Sequence, residues 1–486
     1  MHRTLLPVLN VLAKVVALFS LTLLVPIAVS LWYDDPAQLV YDESFAITLG
    51  AGVIGWALTR RYQRELAPRD GFLLVSLVWT VLPAFAAIPL MLHIDGLSFT
   101  DAYFETVSGI TTTGSTVLTG LDQLPPSINL WRHLLVWMGG MGLIVLAVAI
   151  LPLLGVGGMQ IYKAETPGPM KDAKLTPRIT ETAKGLWLVY TGITVACIVS
   201  YRVAGMTWFD AVCHAFSTMG LGGFSTHDAS FGHFDSTQIE AVAIVFMLIA
   251  GMNFATHFLA ARNRSPRPYL TDPEAGRFVA VTLGSCAMIA VFLWLHGVYP
   301  EFLTALRFAS FNVVSIATTT GYASTDYNLW PVFAPVWMLF LCCFVTSSGS
   351  TGGGIKMIRA QLLFRQTFRE LVKLLHPNAQ VPVKLGGQIV PNQILYAVLA
   401  FMSMYGATLT IAVFLLLASG LDFMTAFSAV IASLNNTGPG LDKVGPATTY
   451  AVLTDFQTWV CTVSMLLGRL ELFTLMVLFT PAFWRK

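Results

Sequence analysis

What most constrains this chain is its succession of long apolar runs. Ten stretches, near 5–31, 44–59, 71–92, 130–155, 185–204, 237–261, 276–297, 331–346 (continuing past a break), 391–419 and 448–482, read as membrane-crossing helices, since about 20 apolar residues carry a helix across hydrocarbon. A segment in lipid must satisfy its own backbone hydrogen bonds, which selects helices here over open strands. Composition agrees, with 55% of residues hydrophobic and 11% charged, where soluble domains carry about a quarter charged. The expected fold class is an all-α polytopic membrane protein. A net charge of +2 argues against nucleic acid as a partner. No long segment has soluble-domain composition, so a soluble regulatory unit would have to be another chain. Cys197, Cys213, Cys286, Cys342, Cys343 and Cys461 lie in or beside apolar runs without CxxC or His/Cys spacing, which suits small core residues better than metal or disulfide. The run 5–31 is too long for a cleaved signal peptide and reads as a retained span.

Basic residues give the orientation. Arg60, Arg61, Arg64 and Arg69 fall in the second connection, Lys163, Lys171, Lys174, Arg178 and Lys184 in the fourth, Arg262, Arg264, Arg267 and Arg277 in the sixth, and Lys356, Arg359, Arg365, Arg369, Lys373 and Lys384 in the eighth. These connections and both termini are expected to be cytoplasmic. The alternate connections carry Asp34, Asp35, Asp42 and Glu43, and later Asp228 and Asp235, and are expected to face outward.

Four outward connections share a pattern that ends on glycine. They run from Asp101 to Thr111-Thr112-Thr113-Gly114, from Asp210 to Gly220-Leu221-Gly222-Gly223, from Phe308 to Thr318-Thr319-Thr320-Gly321, and from Thr425 to Asn435-Asn436-Thr437-Gly438. Alanine recurs at the second position of all four, and serine at the eighth in three. Such spacing identifies internal repeats. A stretch of ten to thirteen residues before each glycine is too short to cross the bilayer and is a re-entrant candidate. Each repeat then reads as outer helix, short helix, loop, inner helix. Two full spans per repeat keep successive repeats in one orientation, so four can close around an axis along the membrane normal.

Four loops on one axis can offer rings of backbone carbonyls that replace the water around a dehydrated monovalent cation. Non-helical backbone is tolerated at this depth only where it lines such a cavity. Glycine lets successive carbonyls point the same way and leaves the axis unobstructed. The short helices would aim their negative dipole ends at the cation. No Asp or Glu lies within the four loops, where a divalent-selective pore would more often carry an acidic ring.

With these residues in view, the chain resembles the membrane subunits of the Trk/Ktr/HKT superfamily of potassium transporters, and within it the bacterial Trk branch. The resemblance covers essentially the whole chain. It implies two extra N-terminal helices (1–70) followed by pore repeats at 71–160, 161–265, 266–375 and 376–486. In that superfamily one glycine per repeat favours potassium, while serine in the first repeat goes with sodium. Gly114, Gly223, Gly321 and Gly438 therefore imply transport of K+. The resemblance further implies inner-membrane location, a homodimer, and a cytosolic ring of TrkA-type nucleotide-binding regulatory subunits. The basic segment 355–388 is a candidate docking surface, although positive-inside bias alone accounts for its charge.

A second informative stretch, Thr346-Ser347-Ser348-Gly349-Ser350-Thr351-Gly352-Gly353-Gly354, interrupts the inner helix of the third repeat. Each glycine costs about 1 kcal/mol of helix stability relative to alanine, so the helix must break. The Gly-Lys-Ser/Thr of a phosphate loop is missing. A break for packing alone and a mobile loop under the filter both remain, and the resemblance implies an intramembrane gating loop at this place. Arg469, inside the last inner helix, would cost about 2.5–3.5 kcal/mol at the bilayer centre and must face a cavity or partner. It reads either as a gate residue holding the loop or as a structural or snorkelling residue. Asn253 and His257 could line the inner pathway or bond between helices. Asp101, Asp210 and Asp422 suit helix N-termini, and Glu105 and Asn312 suit bracing of the loops. A proton- or sodium-coupled symporter on the same fold stays as the alternative. An intramembrane enzyme would need converging nucleophile, base or metal ligands such as HExxH, and none occurs.

Overall fold

The structure is a computed structural model and describes residues 2–64, 66–142 and 179–485. The first inner helix beyond 142 and the basic residues Lys163, Lys171, Lys174 and Arg178 lie outside the described residues.

Among the described residues, almost all regular structure is helical. At the N-terminus, Leu5–Tyr33 forms one 29-residue apolar span with a 3-10 turn at Leu21–Leu23. It packs on Gln38–Thr59 so closely that a methyl group on Gly52 would meet the Ala17 amide nitrogen at 2.5 Å. Small residues permit this approach where lipid provides no hydrophobic drive. Asn10 Nδ2 donates to Thr59 Oγ1 at 3.0 Å between the same two helices. Asp42 and Glu43, expected in an outward connection, are instead inside the helix Gln38–Thr59, which starts earlier than its apolar run.

Each following unit shows an outer helix, a short helix and an inner helix. The outer helices are Arg69–His93, which runs across Ala87 as one span, then Ile179–Val203, Ala275–Leu295 and Asn392–Ala418. The short helices are Phe99–Ile110, Trp208–Gly220, Phe302–Ala317 and Phe423–Leu434. Ser98 and Thr207 cap the first two by accepting from the Asp101 and Asp210 amides at 3.1 and 3.0 Å, and each hydroxyl donates back to that aspartate. Asp422 caps the fourth directly, accepting from Thr425 N at 2.9 Å. Burial would raise the Asp422 carboxyl, but this bond and its neighbours outweigh it and hold the group down to about 2. The N-terminal roles expected for the three aspartates are thus occupied by capping.

The inner helices depart from expectation. The run 237–261 is two helices, Thr237–Ala250 and Phe254–Asn263, at 92°, and within 448–482 the helix Asp455–Arg469 meets Phe473–Phe479 at 103°. The first inner helix, Pro126–Trp137, passes into a π turn over Met138–Gly142. The break at 345–356 is therefore one of several at the same point of the repeat. Glycine stands at each: Gly139 and Gly140, Gly251, Gly352 to Gly354, and Gly468. A methyl on Gly139 or Gly468 would strike the last carbonyls of a short helix, at Ile110 or Leu434. In the first and last units the inner helix passes too near the short-helix end for any side chain. A two-residue hairpin, Lys384–Leu385 with Gln388–Ile389, is a small exception to the all-α expectation. Gly386 and Gly387 supply its positive φ angles of 55° and 83°, as a type I′ turn requires.

Candidate functional site

The four glycine loops meet. A methyl group on Gly114 would lie 2.9 Å from the Gly222 carbonyl oxygen, and one on Gly438 would lie 2.8 Å from that of Thr113. Methyls on Gly223 and Gly321 would collide with the carbonyl oxygens of Thr320 and Thr437. Each glycine thus packs against the carbonyl of the residue just before the glycine of the next loop. The order 114, 223, 321, 438 and back to 114 closes a ring. All four glycines have positive φ, at 83°, 33°, 88° and 102°, so side chains are opposed by both backbone and space.

Each loop begins as the C-terminal cap of its short helix. Thr112, Leu221, Thr319 and Asn436 are left-handed, with φ of 56°, 53°, 60° and 53°. Their amides bond three residues back, and the following amides bond five residues back, as in Thr113 N to Ser108 O at 2.8 Å and Thr320 N to Ser315 O at 2.8 Å. This is the Schellman arrangement, at a position that usually takes glycine. A non-glycine residue there costs roughly 1–2 kcal/mol, spent four times over. The result is that the loop amides are turned back into the helix. Among the described residues, no donor reaches the backbone carbonyls of Thr111 to Thr113, Thr318 to Thr320 or Asn435 to Thr437. Those oxygens are available to something else, at the negative ends of three of the four helix dipoles, whereas in the second loop Gly222 O accepts from Phe224 N at 2.6 Å.

The strand after each glycine is pinned by the fifth residue of the repeat. Glu105 accepts from Thr116 Oγ1 and Val117 N, both at 3.0 Å, His214 Nε2 meets Ser225 Oγ at 3.0 Å, and Asn312 bonds Ser324 through both ends of its amide. In the fourth repeat that position is Ala429, and Ser428 takes the task by bonding Leu441 N at 2.8 Å. Glu105 and Asn312 brace the loops. His214 was missed, although it stands at the same aligned position. Glu105 also pairs with Arg132 at 2.8 Å, with both side chains buried, and Arg132 stacks 4.3 Å above the Phe224 ring. Tyr322, following the third glycine, reaches back into the second repeat and donates to His214 O at 3.0 Å.

Beneath the ring lies the segment between the helices Phe333–Phe344 and Met357–Leu375. Gly353 N donates to Thr319 Oγ1 at 2.9 Å, and Thr351 Oγ1 donates to Met219 O at 2.9 Å, so this segment touches the ends of two short helices. A methyl on Gly353 would collide with the Asn435 carbonyl oxygen. Gly349 and Gly354 have φ of 75° and 80°, while Gly352 lies against Thr318 O and the Thr319 side chain. The break in the second inner helix holds the segment's other side, through Phe254 N to Gly349 O and Ser347 N to Gly251 O. Arg469 donates to Thr351 O at 2.9 Å and to Gly140 O at 3.2 Å, and also to Gly139 O. It ties the segment to the first inner helix. Asn253 caps Phe254–Asn263 through Ala255 N, and His257 bonds Tyr269 Oη and Ile249 O, which are packing roles.

Two residues of this region carried no signal in the sequence. Glu274 Oε1 accepts from both Ser348 N at 3.0 Å and Ile358 N at 2.9 Å, clamping the two ends of the segment. Lys356, counted among cytoplasmic charges, is buried with Nζ on Gly352 O. Arg359 and Arg369 are buried too, bonded to Glu471 and Asn392. The exposed positive charge of that connection is smaller than its composition suggests.

Comparison with known proteins adds an independent observation. The family model described as TrkH, cation transport protein, matches residues 40–486. The chain is 48% identical to the Trk system potassium uptake protein TrkH of Salmonella typhimurium, over 98% of this chain and 99% of that protein. It is 38% identical to the Trk system potassium uptake protein TrkG of Escherichia coli, over 96% of each. The crystal structure of the potassium transporter TrkH from Vibrio parahaemolyticus superposes with a TM-score of 0.89 at 44% identity, covering all of both chains.

Proposed function

The chain belongs to the TrkH family of cation transport proteins, and from that premise we propose that it carries potassium into the cell through the ring of four loops. The observation that carries this reading is the ring itself. Four glycines, each against a carbonyl of the next loop, gather backbone oxygens around one axis, and in the first, third and fourth loops no donor among the described residues reaches those that precede the glycine. Such oxygens can replace the hydration shell of K+. Residues 111–114, 220–223, 318–321 and 435–438 are the filter, and the units beginning near 71, 161, 266 and 376 are the repeats that present it.

The segment 346–354 is the gate. Gly349, Gly352, Gly353 and Gly354 let it fold beneath the filter, and Arg469 holds it there while placing a positive charge on the cytoplasmic side of the cation's path. The protein works as a homodimer in the bacterial inner membrane, with both termini cytoplasmic, and a TrkA-type nucleotide-binding subunit moves the gate. Exposed Phe364, Phe368, Leu371 and Leu375 lie at helical spacing on Met357–Leu375, and this uncovered apolar face supports protein contact there. A proton-coupled symporter would need a membrane-embedded acid to relay protons. Among the described residues, Glu105 is committed to Arg132 and Glu240 to Arg307, buried Glu274 is committed to the amides of Ser348 and Ile358, and Asp455 is exposed at a helix start, so the uncoupled reading stands ahead.

The test is Gly114→Ser. A serine Cβ would sit 2.9 Å from Gly222 O at a φ of 83°, so one ring carbonyl must move. A change of about 1.4 kcal/mol in relative ion affinity is tenfold, within reach of such a shift. Rubidium uptake into liposomes, competed by sodium or potassium, should show potassium preference falling markedly in the variant. Unaltered preference would overturn the filter assignment.

A further inference from the structure

Above the ring is a cavity of about 300 Å³ whose wall includes Gly114, Gly223, Gly321, His227 and Asp228. At its edge, two loops from different repeats lock together. Asp228 accepts from Gly120 N at 2.9 Å and Leu121 N at 3.1 Å, and its own amide donates to Asp122 Oδ2 at 3.2 Å. This exchange brings one aspartate and two histidines to a single point. His227 Nδ1 bonds Asp122 Oδ1, and His233 Nδ1 lies 4.0 Å from the same oxygen. The ligand atoms of Asp122, His227 and His233 all fall within 4.8 Å of one another.

From this geometry we propose a divalent transition-metal site, of the zinc class, formed by Asp122, His227 and His233 at the outer mouth of the ion pathway, whose occupancy slows cation entry. The regulatory part rests on the function proposed above. Two imidazoles and one carboxylate are ligands that zinc favours, whereas calcium and magnesium prefer all-oxygen sites. Three protein ligands leave a fourth position for water.

The surroundings match a metal site beyond the three ligands. His227 Nε2, on the far side of its ring, lies 3.5 Å from Asp210 Oδ1 and has no hydrogen-bond partner of good geometry among the described residues. A carboxylate behind a ligating histidine fixes the tautomer and raises the ligand's basicity. Asp210 is itself held by Thr207 and Thr226, both at 2.7 Å. The Asp122 and His233 side chains are 44% and 46% exposed, so an ion can reach them from the vestibule. His233 stacks on His227 at 3.5 Å with the rings 3° from parallel. Parallel rings cannot both aim lone pairs at one ion, so His233 turns out of the stack on binding, as its exposure allows. The bound ion then adds positive charge beside the cavity through which K+ approaches. A like charge in a low-dielectric mouth disfavours cation entry.

The experiment uses the full chain with Zn2+ alone as the probe. Calorimetric titration should show one Zn2+ per chain in the wild type, weakened at least about tenfold in His233→Gln. His227→Ala is the second variant, since it removes the ligand at the centre of the cluster. In liposomes, Zn2+ should lower rubidium uptake by the wild type, and His233→Gln should restore it while leaving zinc-free uptake unchanged. Equal zinc affinity in wild type and both variants overturns the site. Binding without any change in uptake overturns its regulatory role. If the wild type carries no rubidium at all, the proposed function fails, and the titration still decides the site.

Discussion

Replacing Arg469 with alanine removes a guanidinium that bridges the segment under the ring to the first inner helix. In the structure Arg469 donates to Thr351 O at 2.9 Å on one side and to Gly139 and Gly140 on the other, with its guanidinium 5.6 Å from the Trp79 ring. Of these bonds, the one to Thr351 is made to the proposed gate segment. A hydrogen bond from a charged donor contributes about 1.5–3 kcal/mol, so its loss shifts the balance between closed and open segment by roughly 10-fold to 150-fold, at 1.4 kcal/mol per decade. The bonds from Gly353 to Thr319 and from Thr351 to Met219 stay in place, which favours the lower figure. The assay is radioactive rubidium uptake into liposomes containing the chain without its cytosolic partner. Arg469→Ala should raise this leak about tenfold. Arg469→Lys separates the two contributions, because lysine keeps the charge but lacks the planar fork; it should leak by an intermediate amount. Wild-type leak in Arg469→Ala, with unaltered thermal unfolding, would refute the gate role.

Gly353→Ala places a methyl against the Asn435 carbonyl oxygen, so the segment cannot seat, and leak should rise. If the break existed for packing alone, liposome flux would stay at its wild-type level while the unfolding temperature fell. Glu105→Ala leaves Arg132 buried and unpaired, which costs about 3–5 kcal/mol, readable in detergent as a lowered unfolding temperature. The double variant Glu105→Leu/Arg132→Met should recover the part of that loss due to the unpaired charge, since apolar replacement of a buried pair is often neutral, but not the part due to the lost acceptor of Thr116 and Val117.

The repeat was legible in the sequence because one glycine per unit is a backbone demand. The ring leaves no room for a Cβ at Gly114, Gly223, Gly321 or Gly438, and such a position is readable by alignment within the chain. The left-handed residues two places earlier were not legible. Thr112, Leu221, Thr319 and Asn436 share a conformation but no side-chain chemistry common to all four, and the helix cap that enforces it is made of backbone bonds. The bends at 251–253 and 470–472 were hidden because the apolar runs continue across them, and hydropathy does not distinguish one span from two bent halves. Burial of Lys356, Arg359 and Arg369 was hidden for the opposite reason: a charge count assigns them to water, while their partners Gly352, Glu471 and Asn392 lie far away in sequence or on the backbone. The same holds for the pairing of Asp122 with His227, which only the interlocking of two outer loops creates.

The central claim is that the ring conducts potassium down its electrochemical gradient without a coupled ion. It is tested most directly by rubidium uptake into liposomes holding only the purified chain, loaded with potassium, with equal pH and no sodium on either side. Uptake driven by the potassium gradient and membrane potential alone, and lost when the protein is omitted, is the predicted result. Uptake that starts only when a proton or sodium gradient is imposed would contradict it.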